Sequence, residues 1–199
     1  FIDEMGRVID GDAIVAVCGE DLLKQGMLRD GVVVGTVMSN MAVEEYLRNC
    51  GGRLVRTAVG DRYVVESMRE NGYLFGGESS GHLIFRQYTT TGDGILAALQ
   101  VLALSLKRKE GLSNLVSRYQ PYPQVLKNVK VREKRELGQV PAIARLLEQA
   151  ERSLAGAGRI LVRYSGTEPL VRVMVEGRDR TRIEMLSQEI ATTISSHLS

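Results

Sequence analysis

Along the first part of the chain, helical apolar periodicity alternates with short continuous apolar runs, and glycines punctuate the changes. Ile14, Val15, Cys18 and Leu22 fall on one side of a helix that Asp12 can cap and Gly26 ends. Residues 32–38 are an almost unbroken β-branched run, the pattern of a strand buried on both faces. Ser39 or Asn40 caps a helix over 41–50, closed by Gly51-Gly52. A second strand covers 53–59, and a helix over 62–71 stops at Gly72. Short strands at 73–75 and 82–85 flank a glycine-rich turn. Ile95, Leu96, Leu99, Leu102 and Leu106 then repeat at helical spacing through a long helix over 93–109. Strands alternating with helices of this length predict a three-layer α/β sandwich with parallel pairing.

The rhythm breaks at Tyr119-Gln120-Pro121-Tyr122-Pro123, where two prolines disfavour helix and central strand alike and a linker is expected. Beyond it the order is a strand over 125–131, a helix over 140–154, strands over 159–164 and 171–176, and a helix from Thr181. That β-α-β-β-α unit reads as a second, smaller α+β domain.

Composition narrows the function. The 199 residues carry 26 Lys and Arg against 24 Asp and Glu, a net charge of +2. The basic run Lys107-Arg108-Lys109 meets Glu110 at once, so no dedicated nucleic-acid surface is expected. The longest apolar run, 13–18, is far short of a membrane span. Cys18 and Cys50 stand in no metal or redox spacing, and reduced thiols in a cytoplasm follow as the default. The chain opens on Phe1 with no signal pattern and reads as an internal piece of a longer protein.

Three segments carry candidate chemistry. In Gly76-Gly77-Glu78-Ser79-Ser80-Gly81-His82, the residues Glu78, Ser80 and His82 alternate, so an extended backbone would point a carboxylate, a hydroxyl and an imidazole to one side. That set suits sugar hydroxyls; the competing reading is a glycine hairpin with a solvated Glu. In Arg163-Tyr164-Ser165-Gly166-Thr167-Glu168-Pro169, the Ser165-Gly166-Thr167 turn offers backbone N–H groups and hydroxyls, and Arg163 adds a fork that matches phosphate oxygens. The competing reading is a hairpin turn whose hydroxyls bond their own backbone. Arg172 on the following strand could assist or be a solvated cation. In Val59-Gly60-Asp61-Arg62, a strand-to-helix junction of the kind that lines ligand clefts, Asp61 reads as a helix cap, while Arg62 in the first turn opposes the helix dipole and so suggests a ligand role.

Other patterns carry less. Gly92-Asp93-Gly94-Ile95-Leu96-Ala97 matches a dinucleotide fingerprint formally, but the acid expected to end a second strand is absent and Asp93 is explained as a cap. No phosphate-binding P-loop motif occurs. Asp3, Glu4, Asp10 and Asp12 form no convincing magnesium site, and His82 and His197 with two scattered cysteines form no zinc site.

The segments Val59-Gly60-Asp61-Arg62-Tyr63-Val64, Gly77-Glu78-Ser79-Ser80-Gly81-His82 and the run from Arg163 to Val173 together resemble the C-terminal half of an α-D-phosphohexomutase, in the branch that acts on glucosamine phosphates. The resemblance spans essentially the whole chain, with Tyr164 standing where that branch usually has proline. It implies that residues 1–8 end a preceding second domain, 9–126 form a third, sugar-binding domain, and 127–199 form a fourth, phosphate-binding domain. It also implies that Glu78 and Ser80 bind sugar hydroxyls with His82 nearby, that Arg62 belongs to the substrate-binding set, and that Arg163, Ser165, Gly166 and Thr167 hold the substrate's phosphate. The phosphoserine and the Mg²⁺ ligands of such an enzyme would lie outside this chain. A hexose 1,6-bisphosphate would serve as intermediate, the chain alone would be inactive, and its partners would be phosphosugars, the remaining domains and, as the family admits, a second copy. A phosphomannomutase or phosphoglucomutase branch and a non-catalytic phosphosugar-binding module are the alternatives, with dinucleotide binding a distant third.

Overall fold

The computed structural model describes residues 1–154, 156–166 and 168–198, so Thr167 lies outside the described residues. The chain divides into two compact units, Phe1–Pro121 and Tyr122–Ser199. The division falls inside the expected linker. It assigns 122–126 to the second unit rather than the first, because the strand Gln124–Lys130 pairs along its whole length within that unit.

In the first unit α1 (Gly11–Lys24), β1 (Val32–Thr36), α2 (Met41–Asn49), β2 (Arg53–Thr57), α3 (Asp61–Asn71), β3 (Phe75–Gly77), β4 (Leu83–Phe85), α4 (Gly94–Arg108) and α5 (Leu112–Val116) follow one another. The sheet order is β2-β1-β3-β4, with β1 parallel to β2 and β3, and β4 antiparallel to β3. The chain steps from β1 to β2 in one direction and returns across β1 to β3. Crossovers share one hand, so this reversal sends α2 and α3 to opposite faces. One core joins α1, α2, α4 and α5 to Val33, Phe75, Leu83 and Phe85; the other joins α3 to Val32, Val34 and Ile84. The result is a three-layer sandwich whose central strand is buried on both sides, as the β-branched run predicts.

Local caps differ from expectation in places. The cap of α1 is Asp10, which accepts from Ala13 N at 2.9 Å, whereas Asp12 sits in the first turn and accepts from Asn40 N at 2.9 Å, tying α1 to the start of α2. The cap of α3 is Gly60 and not Asp61, which is already helical. The long helix α4 presents Ile95, Leu99, Leu102 and Leu106 outward from its unit, at 78%, 59%, 57% and 78% exposure, and docks through Ala97, Val101 and Leu104. Residues 1–8 close a small turn through an Ile2–Val8 bridge and a buried Asp3 that accepts from Arg7 Nε at 2.8 Å.

The second unit runs β5 (Gln124–Lys130), α6 (Pro141–Leu154), β6 (Gly158–Tyr164), β7 (Leu170–Gly177), α7 (Arg180–Leu198), the expected β-α-β-β-α order. Its sheet, β5-β7-β6, is antiparallel throughout. Alternation on β7 turns Val171, Val173 and Val175 toward α6 and α7, where they meet Ile143, Ile183, Ile190 and Ile194. The intervening residues, Arg172, Met174 and Glu176, point to the other face.

Candidate functional site

In the first unit the carboxyl ends of the parallel strands β1, β2 and β3 lie together, and the reversal of the strand order at β1 puts a topological switch point there, the place where open α/β sheets bind ligands. The loop after β3, residues 78–82, is a tight turn and not the extended segment that alternation would need. Gly81 N donates to Glu78 O at 2.9 Å, Glu78 N donates to His82 O at 3.0 Å, and Gly81 has φ +95°, open to glycine at no steric cost. The turn still brings the three expected side chains together. Ser80 Oγ and His82 Nδ1 are hydrogen-bonded at 3.1 Å, and His82 Nδ1 stands 3.7 Å from Glu78 Oε2.

Ser80 and His82 are exposed, while Glu78 is buried at 8% and its Oε1 accepts from Gly60 N at 2.9 Å. That bond fastens the start of α3 to the turn. It leaves the second carboxylate oxygen directed at the imidazole. A β-carbon on Gly11 would stand 2.1 Å from Glu78 O, so the bare start of α1 supports the turn from beneath. Arg62, two residues beyond Gly60, lies over the Tyr63 ring at 4.4 Å from its centroid, and the groove beside it is lined by Asp61, Glu66, Arg69, Thr90 and Thr91. The arrangement offers acceptors, a hydroxyl and a ring nitrogen within one small turn, which is chemistry for polyhydroxylated ligands.

The second unit holds a different site. Arg163 on β6 and Arg172 on β7 are directly opposite in the antiparallel register, on the face of the sheet away from the helices. Like charges in that position repel. The Nε atoms of both arginines are buried without a hydrogen-bond partner, and burial together with the Arg172 charge lowers the pKa of Arg163. Arg172 Nη2 donates to Glu168 Oε2 at 3.4 Å, its ion-pair partner among the described residues.

Beside the pair is the β6–β7 turn. Ser165 is 2% exposed; its N donates to Leu170 O at 2.8 Å and its Oγ accepts from Glu168 N at 3.3 Å. The hydroxyl thus serves its own turn, as the plain-hairpin reading requires, yet its proton remains available to donate. The Gly166 N–H makes no hydrogen bond with the described residues. Sequence reasoning named Arg163, Ser165 and Gly166 here. It missed Lys134, whose Nζ donates to Ser165 O at 3.0 Å across a separation that no local signal spans.

Among the described residues no three His, Cys, Asp or Glu side chains gather as metal ligands. Asp3, Asp10 and Asp12 are committed to Arg7, Ala13 N and Asn40 N. The residues present therefore do not fit Mg²⁺. Cys18 is buried and its thiol is pushed up to about 12 by that burial and by Asp21; Cys50 is half-buried, and both are free. Among the described residues no helix is long and apolar enough to cross a membrane.

The chain resembles known proteins over its whole length. It is 52% identical over 198 residues to a phosphoglucosamine mutase of Syntrophotalea carbinolica, covering 100% of this chain and 43% of that protein. It is 53% identical over 196 residues to a phosphoglucosamine mutase of Anaeromyxobacter sp., covering 98% and 42%. It thus spans less than half the length of these curated relatives. Its fold is that of Aspergillus fumigatus N-acetylphosphoglucosamine mutase, solved in complex with GlcNAc-6P and magnesium: TM-score 0.80, 22% identity, 98% of this chain and 49% of that one. Residues 10–122 match the family model for the phosphoglucomutase/phosphomannomutase alpha/beta/alpha domain III, and 126–193 match that for the phosphoglucomutase/phosphomannomutase C-terminal domain. The chain belongs to the phosphoglucomutase/phosphomannomutase family, as part of its C-terminal half.

Proposed function

We propose that this chain is the sugar- and phosphate-recognising part of a phosphoglucosamine mutase, which interconverts glucosamine 6-phosphate and glucosamine 1-phosphate through a bisphosphate. The observation that carries the reading is the cross-strand pair Arg163 and Arg172, with two buried Nε–H donors and no protein acceptor. A phosphate dianion supplies both the missing acceptors and the missing charge. Relatives of that name at about half identity support the choice of substrate.

In this reading Arg163, Ser165, Gly166, Thr167 and Arg172 grip the phosphate that is not reacting, while Glu78, Ser80, His82 and Arg62 take the sugar. A fixed anion cradle lets the bisphosphate present either end to one nucleophile without losing its position. Mg²⁺ and the phosphoserine belong to the remaining domains of the same polypeptide, which are this chain's first partners, and residues 1–8 are the end of the domain before it. The enzyme works in the cytoplasm, on soluble sugar phosphates.

Titration calorimetry with glucosamine 6-phosphate tests the reading. The 199-residue chain binds it without turning it over, and Arg163→Ala weakens binding by about 10- to 100-fold, the worth of one charge-assisted contact. Unchanged affinity in that variant, or turnover by the chain alone, overturns the proposal.

A further inference from the structure

We propose that Lys134 is a positioning residue of the anion turn: it fixes the Ser165–Gly166 peptide so that the Gly166 N–H is presented to the ligand, and Tyr164 clamps the segment that carries it. The inference rests on the reading of this turn as a phosphate site.

The segment 131–136, which follows β5, is strapped along the turn. Val131 N donates to Pro169 O at 3.0 Å and Arg132 N donates to Leu198 O at 2.8 Å. Arg135 and Tyr164 exchange two bonds: Arg135 N donates to Tyr164 Oη at 3.0 Å, and Tyr164 Oη donates to Arg135 O at 2.5 Å. Between these ties Lys134 is exposed; its Nζ stands 6.0 Å from the centre of the Tyr164 ring and donates to Ser165 O at 3.0 Å.

A planar trans peptide points its C=O and the next N–H in opposite directions. Holding Ser165 O against Lys134 therefore turns the Gly166 N–H away from Lys134. The other described amides of the turn are spent, with Ser165 N on Leu170 O, Glu168 N on Ser165 Oγ and Leu170 N on Glu168 O. Gly166 is the one that makes no bond with the described residues. Glycine there lets the backbone approach a ligand closely, but its wide φ/ψ range leaves the peptide plane free to flip. A charged donor on the preceding carbonyl removes that freedom, and the Tyr164 clamp keeps the donor in place. The ammonium also adds a third cation to a turn already flanked by Arg163 and Arg172.

The test is binding of inorganic phosphate to the 199-residue chain, read by calorimetry and by the ¹⁵N–¹H resonance of Gly166. Lys134→Met is expected to weaken binding about tenfold, the effect of one charge-assisted contact, and to move the Gly166 resonance before any ligand is added. The thermal midpoint in phosphate-free buffer should not change. Lys134→Arg should restore binding to within about threefold, and Tyr164→Phe, which keeps the ring and loses both bonds, should fall between. Phosphate affinity unchanged in Lys134→Met while Arg163→Ala abolishes it overturns this inference alone, as does failure of Lys134→Arg to restore binding. Absence of phosphate binding by the unaltered chain overturns the underlying site as well.

Discussion

Replacing Arg163 by methionine separates what this side chain costs the fold from what it does for a ligand. The Arg163 side chain is half-buried, makes no ion pair or hydrogen bond with the described residues, and faces Arg172 across the strand pair with its Nε buried and unpartnered. Relief of a directly opposed like-charge pair is worth about 0.2–1 kcal/mol. Release of the unsatisfied donor adds up to about 1 kcal/mol, a figure at the low end because the guanidinium is half solvated. Methionine keeps much of the apolar stem's packing. Arg163→Met should therefore stabilise the second unit by about 0.5–1.5 kcal/mol in phosphate-free buffer, a rise in thermal midpoint of about 2–12 °C for a unit of this size.

With phosphate the order reverses. At a concentration 100 times its dissociation constant, phosphate stabilises the unaltered protein by about 2.7 kcal/mol. A 10- to 100-fold weaker variant gains only about 0.4–1.4 kcal/mol at the same concentration. Scanning calorimetry at rising phosphate should show the two midpoints crossing. A variant less stable than the parent in phosphate-free buffer, yet gaining the same increment from phosphate, would mean that Arg163 supports the fold and does not hold the anion.

Three further outcomes follow from named contacts. Glu78→Gln keeps an acceptor for Gly60 N but removes the charge facing His82, so glucosamine 6-phosphate should lose affinity while inorganic phosphate binds as before; equal losses for both ligands would contradict the division between the two sites. Glu20 accepts from Lys24, Tyr46 and Arg108, and these bonds outweigh the upward push of burial to hold its carboxyl at about 2, below its ordinary 4.5. A depressed folded-state pKa gives stability that is present above 4.5 and lost as pH falls toward 2, so urea midpoints between those values should fall less steeply in Glu20→Gln than in the parent. Gly11→Ala drives a methyl into Glu78 O at 2.1 Å and should cost about 1–3 kcal/mol in urea titrations, with sugar affinity falling alongside; an undisturbed variant would mean that α1 does not brace the turn.

The order of elements is legible because its signals are local. The caps Asn40 and Asp93 stand where α2 and α4 begin, Gly72 closes α3 at φ +71°, and the β-branched run 32–36 is a strand buried on both faces. Two aspartates two positions apart, Asp10 and Asp12, each suit the start of α1, and only the contact with Asn40 shows that Asp12 has another task. Periodicity identifies α4 but not its inward face, because Ala97, Val101 and Leu104 form a second apolar stripe beside the longer side chains that point outward. The short helix α5 carries too few residues for a period to show. At the sites, residue types announce Glu78, His82, Arg163 and Ser165. Nothing local announces that Gly60 holds Glu78 or that Lys134 holds Ser165, since those pairs are made by chain segments distant in sequence.

In the proposed site the Arg163–Arg172 pair and the Gly166 amide form one anion cradle. A ¹⁵N–¹H titration with glucosamine 6-phosphate tests it most directly. The Gly166 amide and the Nε–H signals of Arg163 and Arg172 should shift together with a single dissociation constant. Shifts confined to other residues, with these three signals unmoved at saturation, would contradict it.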